Sequence, residues 1–173
     1  RWARRLEEAG AHVVYGLLGL KVHAKLLLII RRDDDGMRRY CHLGTGNYND
    51  RTARLYTDFS YLTSNEAVGR DVAALFNMLT GFAQPPKWER LAVAPLTMRD
   101  RLIGWIRREI EHAEAGRPAR IGAKFNALVD PLICHELYRA SQAGVEIDLV
   151  IRGICVLKPG VPGLSERIRV RSI

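Results

Sequence analysis

An imidazole and two ammonium groups stand close together in Lys21-Val22-His23-Ala24-Lys25, directly ahead of the apolar run Leu26-Leu27-Leu28-Ile29-Ile30. If residues 22–32 form one strand, residues two apart face the same side. His23 and Lys25 then project together, with Lys21 on that side as well. Leu27 and Ile29 continue the face, while Leu26, Leu28 and Ile30 line the other. A strand apolar on both faces is expected to be covered on both. Its end is a usual place for a ligand site in an α/β sheet.

The next segment says what should stand beside these groups. Asp33-Asp34-Asp35-Gly36 has the composition of a hairpin turn, and residues 37–43 read as the returning strand. Folding back there brings Lys25 opposite residues 44–46 and His23 opposite residues 46–48. The loop Gly44-Thr45-Gly46-Asn47 thus adds a hydroxyl, an amide and two glycines that let a ligand approach the backbone closely. Imidazole is a nucleophile toward phosphorus. Ammonium, hydroxyl and amide donors can hold phosphoryl oxygens as charge develops on them. The parts are those of a phosphoryl-transfer site. The structural alternative is a core histidine beside a snorkelling lysine.

The elements that must position this site follow from local patterns. Residues 2–9 read as a helix stopped by Gly10, and residues 11–15 as a short strand. Residues 65–79 carry helical spacing through Val68, Val72, Leu75, Phe76 and Leu79. The segment 83–87, with adjacent prolines, is the clearest boundary in the chain. Beyond it the pattern predicts strand 91–94, helix 97–115, strand 120–125, helix 131–143, strand 146–152 and a further strand over 168–173. Strands alternating with helices indicate an α/β fold with a substantially parallel sheet. EEAGAHVVYG and SQAGVEIDLVIRG both run from helix through Ala-Gly into a strand, a weak internal repeat compatible with two related halves.

The 173 residues suffice for one ordinary domain or two incomplete halves, and the missing initial methionine reads as a piece of something longer. No apolar run approaches the length of a membrane span. The net charge of +8 favours an anionic partner. Cys41, Cys134 and Cys155 are scattered without metal-ligand spacing, which fits core residues in a reducing cytoplasm. Asp33 to Asp35 read as a solvated turn, Trp88 and Trp105 as packing residues, and His12, His112 and His135 as structural or surface residues. His42 is a candidate to support the Gly-Thr-Gly-Asn loop, and Asp58 to order the chain near Tyr56.

His23-x-Lys25 followed by Gly44-Thr45-x-Asn47 resembles the half-site of the phospholipase D superfamily, with one departure. That pattern has an aspartate five residues after the lysine, where this chain has Ile30. The longer runs GLKVHAKLLLIIRR, HLGTGNYNDRTARLYTD, KFNALVDPLI and LVIRGICVL resemble the type-one polyphosphate kinases across essentially the whole chain. The resemblance implies a phospholipase-D-like mixed sheet flanked by helices, in two incomplete related domains. Residues 1–90 would be the later part of a first catalytic domain, and residues 91–173 the earlier part of a second. It implies reversible transfer of the terminal phosphate of ATP to inorganic polyphosphate through a phosphohistidine at His23. It implies Tyr56 at the nucleotide base and Arg152 at the nucleotide's phosphates. Lys21 and Lys25 are assigned to phosphate neutralisation by the strand argument, and Thr45 and Asn47 to substrate binding by their loop. Magnesium is the implied cofactor, held through phosphates and by no metal site within this chain. A second histidine and the metal-associated arginines are expected outside the chain, leaving these residues inactive by themselves. A homo-oligomer is implied for the intact enzyme, in the cytoplasm or against the inner face of the membrane. The competing readings are a phospholipase-D-type phosphodiesterase or nuclease, against which Ile30 counts, and a non-enzymatic basic module that binds nucleic acid.

Overall fold

A computed structural model describes residues 2–81, 83 and 87–173. The prolines and Gln84 of the expected boundary lie outside the described residues. The chain divides into two compact units, Arg1–Leu91 and Ala92–Ile173.

The first unit opens with helix α1 (Trp2–Glu8). Its centre is an antiparallel sheet in the order β1 (Lys25–Asp33), β2 (Gly36–Gly44) and β3 (Ser60–Thr63). The two-residue turn between β1 and β2 aligns Lys25 with Gly44 and Asp33 with Gly36. Gly36 takes φ +125°, a conformation that a Cβ disfavours. Helix α2 (Glu66–Gly81) covers one face of the sheet: its Val68 and Val72 form a core with Cys41 of β2, against which Leu28, Leu43, Phe76 and Leu91 pack. Gly69 permits this approach, since a Cβ there would lie 2.9 Å from the Cβ of Arg39. Asp71, buried on α2, accepts hydrogen bonds from the backbone N–H groups of Glu89, Arg90 and Leu91 at 2.7–3.1 Å. These bonds tie the end of the unit to its helix.

Several expectations for this unit are corrected. The expected strand 22–32 begins only at Lys25, so Lys21 and His23 precede the sheet. The reason is the partner. β2 ends at Gly44, the residue opposite Lys25, and Thr45 turns instead to exchange backbone and side-chain hydrogen bonds with Phe59. β1 is also not covered on both faces. Leu28 packs beneath α2, but Leu27 and Ile29 on the opposite face are 43% and 51% exposed. Residues 11–15 form no strand because no described segment pairs with them. The strand β3 escaped sequence reasoning because FSYLT is short.

The second unit has a parallel sheet in the order β4 (Arg120–Phe125), β5 (Glu146–Ile151) and β6 (Ile168–Arg171). One face is apolar. Ile147, Leu149 and Ile151 join Ile168 from β6, Ile106 and Ile110 from α3 (Met98–Glu114), and Ile133 and Leu137 from α4 (Pro131–Gln142). Asp130 caps α4 by accepting from the N–H groups of Leu132 and Ile133 at 2.9 and 3.1 Å, with Pro131 at the first helical position. Gly144 at φ +101° ends it. The expected strand 91–94 is absent: the N–H of Leu91 goes to Asp71, and that of Val93 to the hydroxyl of Thr97. Trp88 is buried as expected, whereas Trp105 is 47% exposed and lines a groove beside β4 instead of packing.

Glu136 joins α4 to α3. It is 5% exposed and accepts two hydrogen bonds from the Arg107 guanidinium at 2.8 and 3.2 Å, with Arg139 also within reach. Arg107 first, then Arg139, hold its carboxyl below the ordinary value of 4.5 against the opposing effect of burial. A depressed folded-state pKa contributes stability above the unfolded value, and that contribution is lost as pH falls through the folded value. Glu136→Gln should therefore destabilise the second unit by about 1.5–3 kcal/mol at pH 7. It should also make the decline of stability between pH 4.5 and strong acid shallower than in the unsubstituted chain. Urea unfolding at a series of pH values reads both effects.

Candidate active site

The site is built where the β1–β2 hairpin opens. Lys25, first residue of β1, faces away from α2 along with Leu27 and Ile29. His42, opposite Leu27 in the register, shares that face. The ammonium of Lys25 donates to the backbone carbonyl of His23 at 2.6 Å. His23 itself is exposed and outside the ladder. The bond engages the backbone of His23 and not its imidazole, and the strand alternation that predicted the pairing of the two side chains does not extend to His23. Lys21 and Asn47 are exposed, in segments without regular structure.

The Gly-Thr-Gly-Asn loop is held by Asp58. The hydroxyl of Thr45 donates to the Asp58 carboxylate at 2.9 Å and accepts from the N–H of Phe59 at 3.0 Å. The N–H of Thr45 returns a bond to the carbonyl of Phe59 at 3.0 Å. Gly46 is required here, because a Cβ at that position would run into the Asp58 carboxylate. The Asp58 side chain therefore acts on Thr45 and Gly46 rather than on the chain near Tyr56. His42 bonds through Nδ1 to the Tyr48 hydroxyl at 2.6 Å, and its ring stands where a Cβ on Gly44 would come within 3.1 Å. Tyr48 drew no notice in the sequence, since its role depends on where the loop carries it relative to β2.

Asn49 starts the short helical turn Thr52–Arg54 by accepting from the N–H groups of Arg51 and Thr52. That turn leads to Tyr56, whose ring is 55% exposed and free to present a face to a ligand. Arg152 lies in the second unit, one residue past β5, with its N–H on the carbonyl of Phe125 and its side chain exposed. Among the described residues no group of three or more His, Cys, Asp or Glu side chains is arranged to hold a metal ion. The hairpin opening offers cations, an imidazole and a hydroxyl, with the Asp58 carboxylate engaged by Thr45. This donor set does not fit magnesium, which prefers a shell of oxygen ligands, and it does fit phosphoryl oxygens.

Two α/β units, one with a histidine, a lysine and a glycine-flanked hydroxyl at the mouth of a hairpin, carry groups suited to holding phosphoryl oxygens. Comparison with known proteins narrows the class. Residues 1–85 match the family description "Polyphosphate kinase C-terminal domain 1", and residues 91–173 match "Polyphosphate kinase C-terminal domain 2". The chain belongs to the polyphosphate kinase family. It is 57% identical over 172 residues to a polyphosphate kinase of Neisseria gonorrhoeae, covering 99% of this chain and 25% of that protein. It is 55% identical to a polyphosphate kinase of Streptomyces coelicolor, covering 100% of this chain and 23% of the relative. The crystal structure of polyphosphate kinase from Porphyromonas gingivalis matches with a TM-score of 0.86 at 41% identity, covering 98% of this chain and 28% of the other. The chain thus spans about a quarter of the length of these relatives. No helix among the described residues is long and apolar enough to cross a membrane.

Removing the Asp58 carboxylate should release the loop. Asp58→Ala is expected to speed hydrogen exchange at the amides of Thr45 and Phe59 by about tenfold or more, since local opening no longer breaks the Thr45 bond. Amides in α2 should exchange as before. Equal acceleration in both places would mean that Asp58 supports the whole unit.

Proposed function

We propose that this chain is the part of a polyphosphate kinase that carries the phosphohistidine, with His23 the phosphorylated residue. The carrying observation is the contact of Lys25 with the His23 carbonyl, beside the Thr45 loop, in a chain of this family. A ring nitrogen of His23 attacks the terminal phosphorus of ATP. The bond to the bridging oxygen breaks, and ADP leaves with that oxygen. The terminal oxygen of a polyphosphate chain then attacks the phosphohistidine, which lengthens the chain by one unit and frees the imidazole. Both steps reverse. Lys25 and Lys21 neutralise the transferring phosphoryl, and Thr45 and Asn47 offer donors to its oxygens. Tyr56 stacks on the nucleotide base, and Arg152 contacts the nucleotide's phosphates. Magnesium arrives on the substrates' own phosphates.

In this reading the first unit is the later part of one catalytic domain and the second unit the earlier part of another. The whole protein works in the cytoplasm as a homo-oligomer. The activity needs the full length of the relatives, of which this chain matches about a quarter.

The protein carrying this chain at full length, incubated with ATP labelled at the terminal phosphate, should acquire an acid-labile label. His23→Ala should abolish it. A label that persists in the variant assigns the phosphate to another residue. Tyr56→Ala should weaken nucleotide binding by about 1–3 kcal/mol and leave polyphosphate binding nearly unchanged, since polyphosphate has no base to stack. Equal loss for both ligands, read by titration calorimetry, would reduce Tyr56 to a support of its own loop.

A further inference from the structure

The parallel sheet of the second unit has a second, polar face, and its charges are sorted along the strands. At the amino-terminal half, every arginine is engaged. Asp148 accepts from Arg120 at 2.9 Å and from Arg169 at 2.7 Å. Glu146 accepts from Arg167 at 2.7 Å and from Arg169 at 3.1 Å. Arg169, then Arg120, hold the Asp148 carboxyl well below its ordinary range, and Arg167, then Arg169, lower that of Glu146. Two residues further along the same face the carboxylates stop. Lys124 pairs in register with Val150, and Val150 with Arg171. Strand alternation puts these three on the face of Asp148 and Glu146. Among the described residues neither Lys124 nor Arg171 meets a carboxylate, and both are exposed.

The result is a row of two unengaged cations separated by one apolar strand position. They stand on strands two apart, hence about 10 Å from each other. Gly122, beside Asp148 in the register, leaves open space between the row and the ion-pair network. Arg152 follows immediately past β5. The row lies at the carboxyl ends of parallel strands, where α/β sheets take their ligands. Glu146 and Asp148 are the carboxylates that β5 places on this face. Here both are used up on the arginines below the row.

We infer that Lys124 and Arg171 form a cradle for a phosphate chain across the carboxyl ends of β4, β5 and β6, extending the phosphate contacts of Arg152. The ligand is an extended inorganic polyphosphate, long enough to touch both cations at once. The identity of that ligand rests on the polyphosphate kinase reading; the cationic row does not. Short anions such as single phosphate reach only one of the two and gain little.

The test is binding of labelled polyphosphate of defined length to the full chain at several salt concentrations. Lys124→Gln/Arg171→Gln is compared with Arg117→Gln/Lys158→Gln, which removes the same charge from exposed positions away from the row. The first pair should weaken binding about tenfold and lower the slope of log affinity against log salt by about two. The control pair should change affinity less than twofold, and neither pair should move the thermal midpoint. Equal losses in both pairs, no loss in the first, or no binding by the unsubstituted chain would overturn the cradle. The His23 label separates the two claims: a label at His23 with no effect of the row leaves the kinase reading intact, whereas a row effect without the label leaves only the cradle.

Discussion

The register of one hairpin controls where the chemistry of the first unit can sit. Asp34 and Asp35 join β1 to β2, and Gly36 accepts the positive φ that closes so short a turn. With that turn, Lys25 must pair with Gly44 and His42 must share its face. A slip by one residue would send Lys25 under α2 and turn Leu28 to the open face. The core contact of Leu28 and Cys41 with Val68 and Val72 opposes such a slip. Packing on one side of the sheet thereby fixes the chemistry on the other.

Beyond the end of the ladder the control passes to side chains. Lys25 reaches the His23 carbonyl, Asp58 takes the Thr45 hydroxyl, and Tyr48 takes His42. Each bond joins a segment without regular structure to the sheet or to its continuation. The consequence is a site whose laddered part is small, with the histidine in a segment that precedes the sheet. The His23 imidazole is exposed and lies outside the ladder, so fewer bonds within these residues fix its position than a fully laddered strand would give.

The second unit solves a different problem. A parallel sheet usually has helices on both faces. Here α3 and α4 meet the apolar face, while the other carries Arg120, Glu146, Asp148, Arg167 and Arg169 as mutual partners. Exposed ion pairs add little stability individually. Their main effect is to settle which cations remain available, and those lie at the strands' carboxyl ends.

Much of this was legible in local sequence. The turn aspartates and Gly36, the helical spacing of Val68, Val72 and Leu75, the Asp130-Pro131 cap and the alternation of β5 each state a local rule, and the elements follow it. The loop Gly44 to Asn47 and its neighbourhood to β1 followed from counting back around the turn. What the sequence could not state was where pairing stops. Residues 22–24 have strand-like composition, but a strand exists only where a partner offers its hydrogen bonds, and β2 leaves at Gly44. The same limit removed the strands expected at 11–15 and 91–94. The roles of Asp58 and Tyr48, the exposure of Leu27 and Ile29, and the pairing of Asp148 with two arginines depend on neighbours 13 or more residues away or across strands, apart from Tyr48, whose partner His42 is six residues away but reached only by the loop's turn. Local sequence therefore determined the elements and the residue types of the site. Tertiary structure decided their extent, their covered faces and their partners, because hydrogen bonds and burial are properties of pairs, and the chain names only one member at a time.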